Sequence, residues 1–87
     1  MTEVIITKLY GFCPVQAEGT INGEEFYFRA RGQRWSIGIG GKVVSDPNWY
    51  YEEPYGEVMF DAGWMPEEEA RAFIEKAALQ WEKGRKP

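Results

Sequence analysis

The sequence predicts an α+β domain: an antiparallel β-meander of about four to five strands, with one face covered by a single C-terminal α-helix. Three observations predict it. Asn22-Gly23 and Gly32-Gln33 are two-residue hairpin turns, of type I′ and type II′ respectively. The registers these turns impose send the apolar residues of three successive strands to one face. The last third of the chain then carries an apolar stripe at helical spacing.

The first turn sits between Val15–Ile21 and Glu24–Arg31. It places Ile21 opposite Glu24, Gly19 opposite Phe26, Ala17 opposite Phe28 and Val15 opposite Ala30. The second places Arg31 opposite Arg34, Ala30 opposite Trp35, Phe28 opposite Ile37 and Phe26 opposite Ile39. The implied core face is Val15, Ala17, Phe26, Phe28, Ala30, Trp35, Ile37 and Ile39. A slip of one residue would invert a whole strand, so the agreement of two independent turns is informative. Gly38 and Gly40 fall on the opposite face and leave it flat. Glu3–Tyr10 is expected to pair at one edge. Lys42–Ser45 and Glu57–Phe60 are weaker strand candidates, and Asp46–Tyr55, with two prolines, reads as a structured loop.

A sheet with one apolar face needs a cover. Pro66 and Glu67–Glu69 suit the first turn of a helix, where a fixed φ and negative charge are favoured. Ala70, Phe73, Ile74, Ala77, Ala78 and Trp81 form its stripe. Gly84 suits its end, which gives a helix over about 66–83. Glu67 and Arg71 make an i,i+4 pair on the solvent side. At 87 residues the chain is expected to be one compact domain, 1–87.

Composition excludes several chemistries. The chain has no His and one Cys, so it offers no Ser-His-Asp triad, Cys-His pair, imidazole metal site or intrachain disulfide. Adjacent carboxylates in a strand point to opposite faces and make a poor acid–base pair. The Gly38-Ile39-Gly40-Gly41 string lacks the dinucleotide-binding pattern. The expectation is no enzyme, no metal and no small-molecule cofactor. The first residues lack a basic region and an apolar run, and no stretch reaches the roughly 20 apolar residues of a membrane span. A cytoplasmic protein without membrane association is therefore expected, with Cys13 as a small buried hydrophobe.

Charge is unevenly placed. Residues 1–45 hold four acids and five bases, net +1, while residues 46–87 hold ten acids and five bases, net −5. No base lies between Lys42 and Arg71. Asp46, Trp49, Tyr50, Tyr51, Glu52, Glu53, Tyr55, Glu57 and Asp61 in that window are the candidate partner-binding residues. Clustered carboxylates beside rigid aromatics suit a protein partner with a basic surface. The competing explanation is structural: Glu67–Glu69 serve the helix start, and Phe60 and Trp64 fill the core.

A second constellation, Tyr27, Arg29, Arg31 and Arg34, falls on the outer sheet face and suits nucleic acid. Only one aromatic is well placed there and the chain is acidic. Pairing of these arginines with Glu18, Glu25 or the acidic segment is the expectation, and direct nucleic-acid binding is disfavoured.

In size, charge and the acidic-aromatic window of residues 46–69, the chain resembles the small anti-CRISPR proteins of phages and mobile elements. That resemblance implies a stoichiometric inhibitor, acting in the host cell cytoplasm if phage-encoded. It would bind a CRISPR effector, such as a type I surveillance complex, and block target DNA binding as a DNA mimic. The alternatives are a nucleic-acid-binding module on the arginine face, and a small phage structural protein that self-associates through a strand edge.

Overall fold

The computed structural model describes residues 2–56 and 61–85. Five strands, β1 Val4–Tyr10, β2 Val15–Ile21, β3 Glu24–Arg31, β4 Arg34–Lys42 and β5 Asp46–Pro54, are followed by a 3-10 turn, Asp61–Trp64, and one helix, α1 Glu67–Arg85. The strands form one antiparallel sheet in chain order. The expected fold class is the one observed.

The two turns set the centre of the sheet. Asn22 and Gly23 both have positive φ, +49° and +84°, as a type I′ turn requires. The Asn22 side chain also accepts from the Glu3 amide at 2.7 Å, which ties the start of β1 to the same turn. At the second turn Gly32 has φ +66°. The β2–β3 and β3–β4 registers match the expected pairs residue for residue.

β1 is an edge strand, as expected, with one irregularity. Ile6 pairs with Gly19 but Lys8 pairs with Glu18, so Thr7 is an extra residue. This bulge turns Ile6 and Leu9 to the same side despite their odd spacing, and both pack against the core.

The other edge corrects the sequence reading. Asp46–Pro54 is not a loop but β5, paired along β4 from Lys42↔Asp46 to Arg34↔Pro54. Lys42–Ser45 is not a separate strand, because β4 ends at Lys42 and residues 43–45 form the turn into β5. The prolines are compatible with a strand because β5 has a free edge, where a missing N–H costs no ladder bond. The candidate strand Glu57–Phe60 lies outside the described residues.

The inner face of the sheet and the stripe of α1 form one core. Phe26, Phe28, Ala30, Trp35, Ile37, Ile39, Ala70, Ile74, Ala77 and Ala78 are all buried. Trp35 is its hub, stacked on Phe73 at 4.9 Å and in contact with Phe28 and Tyr51. Its indole N–H is buried without a hydrogen-bond partner among the described residues, a cost of about 1–3 kcal/mol. Ring burial of roughly 150–250 Å² per aromatic more than offsets that cost. Pro66 directly precedes α1, and its carbonyl accepts from the Glu69 and Ala70 amides. The helix runs through Gly84 to Arg85, so Gly84 does not end it.

Candidate functional site

The acidic-aromatic window does not make one surface. Alternation along β5 sends Trp49, Tyr51 and Glu53 to the inner side, opposite Ile39, Ile37 and Trp35. Tyr50 and Glu52, opposite Gly38 and Ser36, go to the outer side. Asp46 is exposed at the start of β5, and Tyr55 and Asp61 are half-buried beyond its end. Glu57 lies outside the described residues.

Several of these carboxylates are neutralised within the chain. Glu53 accepts from Lys76 of α1 at 2.8 Å and from the Tyr51 hydroxyl. The ammonium first, and the hydroxyl second, hold the Glu53 carboxyl below its usual pKa. Reciprocally, Lys76 and Tyr51 are raised, each chiefly by its hydrogen bond to Glu53. Tyr55 donates to Glu69 at 2.8 Å, and burial, then that bond, pushes its phenol up to about 12. Glu67 pairs with Arg71 at 3.2 Å, as the spacing predicts. The inner half of the window thus pins β5 to the helix: Trp49 stacks on Tyr51, and Tyr55 meets Phe73 edge-on.

Among the described residues no helix or second sheet covers the outer face, and alternation gathers the second constellation there. Tyr27, Arg29 and Arg31 follow one another along β3, with Arg34 opposite Arg31 and Ser36 opposite Arg29. Arg29, Arg31 and Arg34 are exposed. Their expected pairing is largely missing. Among the described residues only Arg34 has an acidic neighbour, Glu52 at 3.7 Å. Tyr27 is half-buried and donates to Gln16 at 2.6 Å.

Sequence reasoning counted one aromatic on this face, and the structure adds two. Tyr10 reaches it because the Thr7 bulge resets the alternation of β1. Tyr50 reaches it because its segment is a strand. Tyr10 donates to Glu18 at 2.9 Å, and Lys8 sits 5.0 Å over its ring. The hydroxyl's bond to Glu18, then burial, raises the Tyr10 pKa.

The face is not flat at Gly38. A side chain there would meet the Val43 carbonyl and Pro47 Cβ, both at 2.8 Å. The β4–β5 turn therefore folds over the sheet at the one place without a side chain. Between this turn and β2 lies a groove of about 350 Å³ bordered by Thr7, Glu18, Glu25, Tyr27 and Val44.

A third feature was not legible as a site. Phe12, in the β1–β2 loop, and Trp64, in the 3-10 turn, touch at 5.6 Å between ring centroids. They are 74% and 65% exposed. Trp64 is therefore not core, and Cys13 beside Phe12 is exposed rather than buried. Two backbone bonds hold the ends together. Cys13 donates to the Gly63 carbonyl at 2.9 Å, and Ala62 donates to Gly32 at 2.8 Å. The second ties the 3-10 turn to the β3–β4 turn. The exposed aromatic signal lay in two short loops far apart in sequence, which no periodicity connects.

Among the described residues no group of three or more Cys, Asp or Glu is placed to hold a metal ion. No helix among them is long and apolar enough to cross a membrane. No family model, curated protein or solved structure matches the chain.

Proposed function

We propose that the chain is a non-catalytic protein-binding module whose contact is centred on Phe12 and Trp64. The observation that carries this reading is the exposure of two large rings packed on one another, in a domain whose other described Phe and Trp rings are buried or half-buried. Exposed aromatic clusters mark interaction sites, and Trp, Tyr and Arg supply most binding hot spots.

The acidic window contributes steering. The net charge of −4 accelerates encounter with a basic partner, and exposed Asp46 and Glu68 carry part of that field. The resemblance in size and charge to anti-CRISPR proteins makes a CRISPR effector complex the first partner class to assay. The self-association reading has less support. β5 carries Pro47, Pro54 and Glu52 on its free edge, and β1 carries a bulge and Lys8, which are devices that discourage edge pairing.

The test is affinity capture from a CRISPR-bearing bacterial lysate with the wild type and with Phe12→Ser/Trp64→Ser. Both sites are exposed, so each substitution alters folding by only about 0.5 kcal/mol. The wild type is expected to retain specific proteins that the double variant loses at equal salt. Retention of the same proteins by both would overturn the assignment of the contact.

A further inference from the structure

We infer that the outer face of the sheet is a second, separate site: a platform for single-stranded nucleic acid. The inference does not rest on the protein-binding reading. Its basis is the row Tyr27-Arg29-Arg31 along β3, with Arg34 across from Arg31. Residues two apart in a strand share a face and lie about 6.8 Å apart, so the row presents one ring and successive cations at regular intervals.

Three features suit an anionic strand with exposed bases. Arg29 and Arg31 are exposed and have no ion pair among the described residues. Arg31 and Arg34 directly oppose one another across the strands. Like charges so placed destabilise a sheet by a few tenths of a kcal/mol, and a phosphate between them removes that repulsion. Tyr27 is half-buried with its hydroxyl anchored on Gln16 at 2.6 Å, so its ring is ordered before a base arrives. Tyr10 lies across β2, opposite Gln16, with Lys8 5.0 Å over its ring. Aromatic rings take bases by stacking without regard to sequence, while arginines take the backbone.

The face is polarised. Glu18 and Glu25 lie on the side of the β2–β3 turn, and the arginines on the side of the β3–β4 turn. A bound strand therefore runs its phosphates past Arg29, Arg31 and Arg34 and lays a base on Tyr27. A duplex keeps its bases stacked inside, and a sheet face without a projecting helix or ribbon reaches only its phosphates. An acidic peptide would meet the arginines but leave the ring face of Tyr27 unused.

The test is fluorescence anisotropy with a labelled oligothymidylate across a salt series. Three arginine–phosphate contacts predict a log–log salt slope of about −2, at roughly −0.7 per contact on a single strand. Arg29→Ala/Arg31→Ala is expected to weaken binding at least tenfold and to reduce the slope to about −0.7. Tyr27→Leu is expected to weaken binding by about tenfold while leaving the slope unchanged, because stacking releases no counterions. Phe12→Ser/Trp64→Ser is expected to leave oligonucleotide binding unaltered, which separates this site from the proposed protein contact. Circular dichroism of each variant checks that the fold is retained. No binding at low salt, equal binding by Arg29→Ala/Arg31→Ala, equal affinity for duplex, or equal displacement by polyglutamate each overturns the inference.

Discussion

The two faces of this one sheet are built on opposite terms. On the inner face the apolar positions that alternation supplies join the stripe of α1 in one core, and side chains such as Phe28, Trp35 and Ile37 have no exposed surface. On the outer face the same strands carry Arg29, Arg31, Ser36 and Tyr50, and among the described residues no helix or second sheet covers them. The difference separates folding from function. The inner face is packed within the chain, whereas on the outer face Arg29 and Arg31 have no ion pair among the described residues.

The comparison predicts very unequal mutational costs. Trp35→Ala, on the inner face, is expected to cost about 3–5 kcal/mol through the cavity it leaves among Phe28, Tyr51 and Phe73. A small domain has only about 5–15 kcal/mol in total, so loss of the near-ultraviolet dichroism and of a cooperative urea transition is expected. A variant as stable as the wild type would deny Trp35 its place as the hub.

Gly38→Ala should be the exception that the outer face contains. A methyl group there would press on the Val43 carbonyl and Pro47, and overpacking of this kind costs about 1–3 kcal/mol. The neighbouring Ser36→Ala, on the same face, should change stability by less than about 0.5 kcal/mol. Equal urea midpoints for the two variants would mean that the β4–β5 turn does not rest on the sheet.

The central strands are legible in the sequence because their turns are local. Asn22-Gly23 and Gly32-Gln33 fix the pairing of their flanks without reference to the rest of the chain, and the burial of Ala30, Trp35 and Ile37 follows. β5 is hidden because its evidence is non-local. Pro47 and Pro54 read as breakers, and Trp49-Tyr50-Tyr51-Glu52-Glu53 does not alternate apolar with polar. Only its position at the sheet edge makes the prolines harmless, and only the open outer face accounts for Tyr50. The arginine cluster is legible from register, but the absence of its expected partners is not. Glu18, opposite Tyr27, is a diagonal neighbour of Arg29 and Glu25 lies farther toward the β2–β3 turn, yet neither forms an ion pair with Arg29 among the described residues. The Phe12–Trp64 contact joins residues more than half the chain apart, so neither ring alone carries a signal.

A pH series sharpens the contrast at the inner edge, where Lys76 of α1 meets Glu53 of β5. Glu53 has a lowered pKa in the folded protein. Its contribution is therefore present above the unfolded value of about 4.5 and is lost as pH falls through the lower folded value. Lys76 has a raised pKa, so its contribution is present below the unfolded value of about 10.5 and is lost as pH rises through the higher folded value. Lys76→Met removes the larger cause of the Glu53 shift and leaves the Tyr51 hydroxyl. The wild-type urea midpoint is expected to fall more steeply than that of Lys76→Met between about pH 5 and pH 3. Parallel curves would show that the contact does not hold β5 to the helix.

The smallest effects belong to the arginines, and their order matters more than their size. Arg34 gains from Glu52 at 3.7 Å, a distance beyond hydrogen bonding, between exposed side chains whose attraction is worth at most about 0.5 kcal/mol. It loses a similar amount by facing Arg31 across the strands. Removing it deletes both contributions, so Arg34→Ala should lie within about 0.3 kcal/mol of the wild type. Arg31→Ala deletes only the repulsion and leaves the Glu52 contact in place. It should therefore stabilise the domain by a few tenths of a kcal/mol, more at low salt than at high, since exposed charges are screened. The difference is small but readable as a shift in urea midpoint measured at two ionic strengths. If Arg31→Ala destabilises instead, the guanidinium takes part in the fold and the outer face is not free of structural work. If it stabilises, a side chain that weakens its own domain is held on an open face next to a second cation and an ordered ring, which is the arrangement expected where an external anion supplies the missing charge.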